Sequence, residues 1–194
     1  MKIEKLKYST KDYLDGPVIL KPNIFSDERG FFYVSWNQNE LNKLICKPLN
    51  FVQDMVSNSS HGVLRGMHYQ LDKPQAKLVK VIKGKIFDVI VDLRSNSNSY
   101  MKWASVELSN ENKKMIYVPK GFAHGFMVLS SFAEVLYKVD NYYDKNSSIS
   151  LLWNDRDISI NWPTNKIKVQ HPITNQKDRN GFNFEEVKKL GYIF

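Results

Sequence analysis

A chain of 194 residues is long enough to bury a sizeable core as a single domain spanning residues 1–194, and its aromatic content of 13% sets it apart from disordered sequences. The formal net charge of +8 reads either as a Lys-rich surface or as a sign of an anionic partner, nucleic acid or a phosphorylated small molecule, and the absence of a long block of like charge or a basic amphipathic helix argues against nucleic acid. Cys46 is the single cysteine and can form no intrachain disulfide, the N-terminal MKIEKLKYSTKDYLDG lacks the apolar stretch of a signal peptide, and no apolar run is long enough for a membrane span, so a soluble, cytoplasmic protein is expected.

In chain order the first predicted element is a short helix over Asn39 to Lys47, with Asn37 or Asn39 as its N-cap. Strands dominate after it. Lys77 to Asp92 reads KLVKVIKGKIFDVIVD, two apolar runs separated by Lys83-Gly84, which predicts a hairpin. WASVEL (Trp103 to Leu108) and MIYVP (Met115 to Pro119) form a second predicted pair, and FMVLS with AEVLYKVDNYY a third. Asn183 to Leu190 reads as a C-terminal helix stopped by Gly191. Short strands at regular spacing with few helices predict one all-β domain, a jelly roll or barrel with small peripheral helices.

Four histidines are present, His61, His68, His124 and His171. His68 lies in GVLRGMHYQ and His124 in PKGFAHGF, each beside glycines and aromatics near a strand edge, which suggests one shared pocket. A catalytic metal ordinarily takes at least three nitrogen or oxygen ligands from the protein. Gln70 stands two residues after His68, and no glutamate follows before Glu107, so a metal-free acid–base site is expected. No phosphate-binding glycine loop, dinucleotide fingerprint or nucleophile elbow occurs. Cys46, in LICKP, reads as a half-buried apolar cysteine rather than a nucleophile. Proton abstraction beside a carbonyl needs a base near neutrality, a carboxylate behind it, a donor for the enolate oxygen and an acid on the opposite face. Lysines and tyrosines are too many for composition alone to choose among them.

The ordered set FSDERGFF (Phe25 to Phe32), FVQD (Phe51 to Asp54), GVLRGMHYQ, KLVKVIKGKIFDVIVDLR, PKGFAHGF, AEVLYK (Ala133 to Lys138), NYY (Asn141 to Tyr143) and LWND (Leu152 to Asp155) resembles the dTDP-4-dehydrorhamnose 3,5-epimerase family. The likeness runs from about Pro17 to Pro163 and resumes at PITNQKD (Pro172 to Asp178). It implies a cupin-like jelly roll, a double-sheet barrel that acts as a homodimer without metal or cofactor. It implies that His68 removes protons at C3 and C5 of a nucleotide-linked 4-keto sugar. Asp178 would orient His68, Lys77 would hold the enolate oxygen, and Tyr137 would return the proton from the other face. Arg29, Gln53, Arg65, His124 and Lys177 would bind the substrate, chiefly its nucleotide part, and Asp88 would tune the pocket. The chain departs from the family pattern at Val34, Met55, Val56 and Ser148, where polar residues are common, and these positions bear on selectivity. A single epimerase, a sugar-nucleotide ketoisomerase and a non-catalytic binding cupin are the alternatives.

Overall fold

Strands that are apolar on both faces need a covering layer on each side of their sheet. The computed structural model, which describes all 194 residues, supplies those layers. In chain order the elements are β1 (Lys2–Lys7), β2 (Tyr13–Lys21), β3 (Phe25–Asp27), β4 (Gly30–Phe32), α1 (Gln38–Leu44), β5 (Gln53–Ser60), β6 (Leu64–Gln70), β7 (Lys77–Lys83) and β8 (Lys85–Asp92). There follow β9 (Trp103–Ser109), β10 (Met115–Val118), β11 (Phe122–Val128), β12 (Phe132–Val139), β13 (Ser148–Ser150), α2 (Gln176–Arg179) and α3 (Phe184–Lys189). One sheet has the order β1-β2-β10-β7-β12-β5 and the other β13-β6-β11-β8-β9, while β3 and β4 form a separate hairpin. The two sheets make the expected all-β jelly roll.

The strands fall where the apolar runs place them, but the three expected hairpins do not form. In each case the consecutive strands lie in opposite sheets: β7 and β8, β9 and β10, β11 and β12. The reason is visible in the side chains. Val79 and Val81 of β7 and Ile86 and Ile90 of β8 meet in the core between the sheets. Their alternate residues face outward into different clusters, Leu78 beneath α1 and Val89 and Val91 beneath the C-terminal segment. A hairpin within one sheet would put these outer residues on one common face. Gly84 arches the chain from sheet to sheet at φ +80°, where a Cβ would lie 2.0 Å from the Phe132 carbonyl oxygen.

The outer layers come from loops and short helices. Leu41 of α1 and Leu49 cover Leu20, Leu78, Met115 and Tyr117 on one side. On the other, Leu151, Ile158, Trp162, Phe184 and Val187 cover β6, β8 and β11, with Trp162 edge-on to Phe87 at 6.1 Å. Asn37 caps α1 by accepting from the Glu40 amide, and Asn183 and Glu186 close a reciprocal capping box on α3. The four-residue helix α2, capped by Asn175, is too short to leave a periodic signal and was not anticipated from sequence. Cys46 corrects an expectation: it is exposed, not half-buried, because the chain leaves α1 there at φ 52° and carries the side chain away from the apolar face. No helix is long and apolar enough to cross a membrane.

Candidate active site

One end of the space between the sheets is left unfilled by apolar side chains. Along β7, Lys77 shares its face with Val79 and Val81, and along β8, Asp88 shares its face with Ile86 and Ile90. Along β11, His124 lies between Phe122 and Phe126, and along β12, Tyr137 follows Ala133 and Val135. The period that builds the core thus also aims polar groups into a cleft of about 410 Å³. Arg65 and His68 of β6, beside β11 in the same sheet, face Lys77 and Tyr137 across it, and Met55 and Ser57 of the edge strand β5 line its rim.

His68 and His124 are directly paired across β6 and β11, beside a bulge. The strands approach so closely that a Cβ on Gly66 would lie 2.5 Å from Gly125 Cα, and Gly66 itself adopts φ +136°. Only glycine meets both demands. These two residues therefore fix the spacing of the histidines that follow and precede them.

His68 Nε2 lies 2.6 Å from Asp178 Oδ1, and its side chain is 34% exposed toward the cleft whereas Asp178 is fully buried. The Gly66 amide donates to Asp178 Oδ2 at 3.3 Å, so each carboxylate oxygen has a partner, while Asn175 Oδ1 accepts from the Asp178 backbone amide at 2.7 Å and caps α2. An ionised Asp178 requires the Nε2–H tautomer of His68, which leaves Nδ1 with its lone pair free of any protein partner. Burial draws the His68 pKa below its ordinary value, with Asp178 opposing the shift. His124 makes a parallel arrangement: its Nε2 lies 2.9 Å from Asp88 Oδ2, with both groups buried.

Lys77 donates to the His68 carbonyl oxygen at 3.2 Å. Burial lowers its pKa to about 8, against the opposing charge of Asp88. Tyr137 Oη lies 3.0 Å from Ser57 Oγ, and its ring meets those of His124 and Phe126 at 6.4 Å each. Burial raises the Tyr137 pKa and keeps the phenol protonated, with Asp88 adding to the shift and Ser57 and Arg65 opposing it. Arg65 Nε donates to Ser59 Oγ at 2.9 Å, and Lys177 donates to Ser148 Oγ at 2.8 Å at the mouth.

Of the anticipated residues, His68, Lys77, Tyr137, Arg65, His124 and Lys177 line this cleft, while Asp178 and Asp88 stand behind its two histidines. Gln53 lies behind the wall, where its Oε1 accepts from the Tyr143 amide at 3.3 Å. Arg29 lies elsewhere in the chain's own fold, on the β3–β4 turn, paired with Asp27 at 2.6 Å and 85% exposed. Met55, Val56 and Ser148, which depart from the family pattern, do line the cleft. Sequence reasoning missed Ser57, Ser59, Gln70, Gln75, Tyr143 and Asn175. The alternation of Met55, Ser57 and Ser59 along β5 was the one available signal for the two serines.

No Asp or Glu lines the cleft, although Arg65, Lys77 and Lys177 do, so the lining favours an anion. Nowhere in the fold do three or more His, Cys, Asp or Glu side chains gather as a metal-binding group. The arrangement is suited to moving a proton at a carbon made acidic by a neighbouring carbonyl.

Comparison with known proteins gives the family. The family model described as dTDP-4-dehydrorhamnose 3,5-epimerase matches residues 11–186. An enzyme of that name from Shigella flexneri is 47% identical over 175 residues, covering 90% of this chain and 94% of its own. The crystal structure of a dTDP-4-dehydrorhamnose 3,5-epimerase from Elizabethkingia anophelis superposes with a TM-score of 0.84 at 43% identity, covering 94% of this chain and 97% of that one. A Legionella pneumophila dTDP-6-deoxy-D-glucose-3,5-epimerase, solved in complex with dTDP-4-keto-L-rhamnose, superposes with a TM-score of 0.86 at 39% identity, covering 95% and 94%. With likeness over nearly the whole length in both sequence and fold, the chain belongs to the dTDP-4-dehydrorhamnose 3,5-epimerase family.

Proposed function

We infer that this chain converts dTDP-4-dehydro-6-deoxy-D-glucose to dTDP-4-dehydro-L-rhamnose by inverting C3 and C5. The observation that carries the reading is the His68–Asp178 pair at 2.6 Å, opening into a cationic cleft that also holds Lys77 and Tyr137. Both carbons flank the C4 ketone, so one base and one oxygen-stabilising group serve both. His68 Nδ1 takes the proton, and Asp178 stabilises the imidazolium that results. The Lys77 ammonium neutralises the charge that develops on the C4 oxygen. Tyr137 donates a proton to the opposite face of the planar intermediate, which inverts the centre.

Arg65, His124 and Lys177 bind the substrate, the cations through its diphosphate, and Asp88 holds His124 in place. Arg29 contributes from a second subunit of a cytoplasmic homodimer, and Gln53 acts by supporting the Tyr143 wall. The test is incubation with the dTDP-4-keto-6-deoxyglucose substrate in deuterium oxide, followed by NMR. Deuterium at C3 and C5 is the expected result. His68→Ala should abolish both exchanges, and Tyr137→Phe should keep exchange while impairing net inversion. Label at one carbon only would reduce the assignment to a single epimerase, and activity in the His68→Ala protein would overturn the mechanism.

A further inference from the structure

We propose that Ser57 re-protonates Tyr137 between the two inversions, as a positioning residue that connects the buried phenol to solvent. The inference rests on the epimerase reading. A double epimerase must give away two protons from Tyr137 for each product, so the phenolate left by the first inversion has to regain a proton before the second. While the sugar is bound, it covers the cleft-facing side of the phenol. Ser57 Oγ, at 3.0 Å, is the one hydrogen-bond partner of Tyr137 Oη within the protein.

Ser57 is well placed for that task. It is itself only half-buried, on β5, the outermost strand of its sheet, so its hydroxyl borders solvent at the rim of the cleft. Along β5 its side chain faces the cleft with Met55 and Ser59, so the hydroxyl lies where the strand edge meets the Tyr137 wall. A hydroxyl both donates and accepts, which a relay requires. In the balanced step, the Ser57 O–H bond breaks as the Tyr137 O–H bond forms, and Ser57 Oγ takes a proton from solvent water in the same motion. The hydroxide so produced is neutralised by the proton that His68 releases, and the net change is nil. No oxidant or further reactant takes part.

The experiment compares wild type, Ser57→Ala and Ser57→Thr in one rapid-quench turnover, with one equivalent of substrate per site. The proton for the first inversion is already on Tyr137, so Ser57→Ala should slow it only through the lost hydrogen bond to Tyr137 Oη, and far less than it slows the second. Its second inversion should slow by at least about 10-fold, so that singly inverted sugar accumulates. KM should change little, and Ser57→Thr, which restores the hydroxyl, should restore the second rate. Equal slowing of both inversions would indicate a packing role and overturn the relay, as would two wild-type rates in Ser57→Ala. If the wild-type protein itself fails to invert either centre, the epimerase reading falls and takes the relay with it.

Discussion

In the proposed mechanism His68 serves as a base only while Nδ1 is unprotonated, and burial draws its pKa below the ordinary 6.5. Lys77, in the same proposed mechanism, helps only while it carries its proton, and burial brings its pKa down to about 8. The signs of these two requirements are opposite. Activity is lost as pH falls through the His68 value, because the base becomes imidazolium. It is lost again as pH rises through the Lys77 value, because the charge that holds the enolate oxygen disappears. The kcat/KM of the free enzyme should therefore be bell-shaped, with its acid limb below 6.5 and its alkaline limb near 8. Lys77→Arg keeps the charge at every accessible pH, so its alkaline limb should move upward even as the bulkier guanidinium lowers the maximum. An alkaline limb that stays in place in Lys77→Arg would show that another group sets it. The measurement is initial rate against pH at low substrate for both proteins.

β6 and β11 carry the two histidines, and their separation is set by the contact of Gly66 with Gly125. In Gly66→Ala, the new Cβ would meet Gly125 Cα at 2.5 Å while holding φ +136°. Overpacking and backbone strain together should cost about 2–4 kcal/mol, read by denaturant unfolding, with kcat falling because His68 shifts relative to Lys77 and Tyr137. These elements also show how far the sequence could be read. The strands β7, β8, β11 and β12 are legible because apolar residues crowd them. Their partners are not legible, because β8 and β11 are buried on both faces and have lost the alternation that tells inside from outside. A Lys83-Gly84 turn reads alike whether it closes a hairpin or arches between sheets. His68, Lys77 and Tyr137 stand in motifs that survive in order, so the family resemblance reaches them. Ser57 and Asn175 act only through neighbours that register and the fold of α2 bring to them, Tyr137 and Asp178, which lie 80 and 3 residues away.

At the scale of the molecule, the β3–β4 hairpin stands apart from the cleft, and its phenyl rings stay largely exposed, Phe31 meeting only Tyr33 and the Lys113 ammonium. Phe25, Phe31 and Phe32 are 63%, 58% and 67% exposed, and together with Arg29 they line a concavity that shares no residue with the cleft. An exposed apolar group of this kind marks an interaction surface. Arg29 cannot serve as a ligand for the substrate of its own chain from that position. If it binds nucleotide, it does so in the cleft of a second copy, and the phenyl rings beside it are the natural contacts for that copy. The protein should therefore sediment at about twice its 22.7 kDa chain mass. Phe31→Ser combined with Phe32→Ser should shift it to the mass of one chain without unfolding the sandwich, since neither ring belongs to a core cluster. Arg29→Ala should leave the dimer intact and raise KM by about 10-fold or more, the usual value of a charge-assisted contact to phosphate. The two variants separate assembly from binding. A dimer that persists in the Phe pair variant would place the interface elsewhere, and an unchanged KM in Arg29→Ala would remove Arg29 from the site.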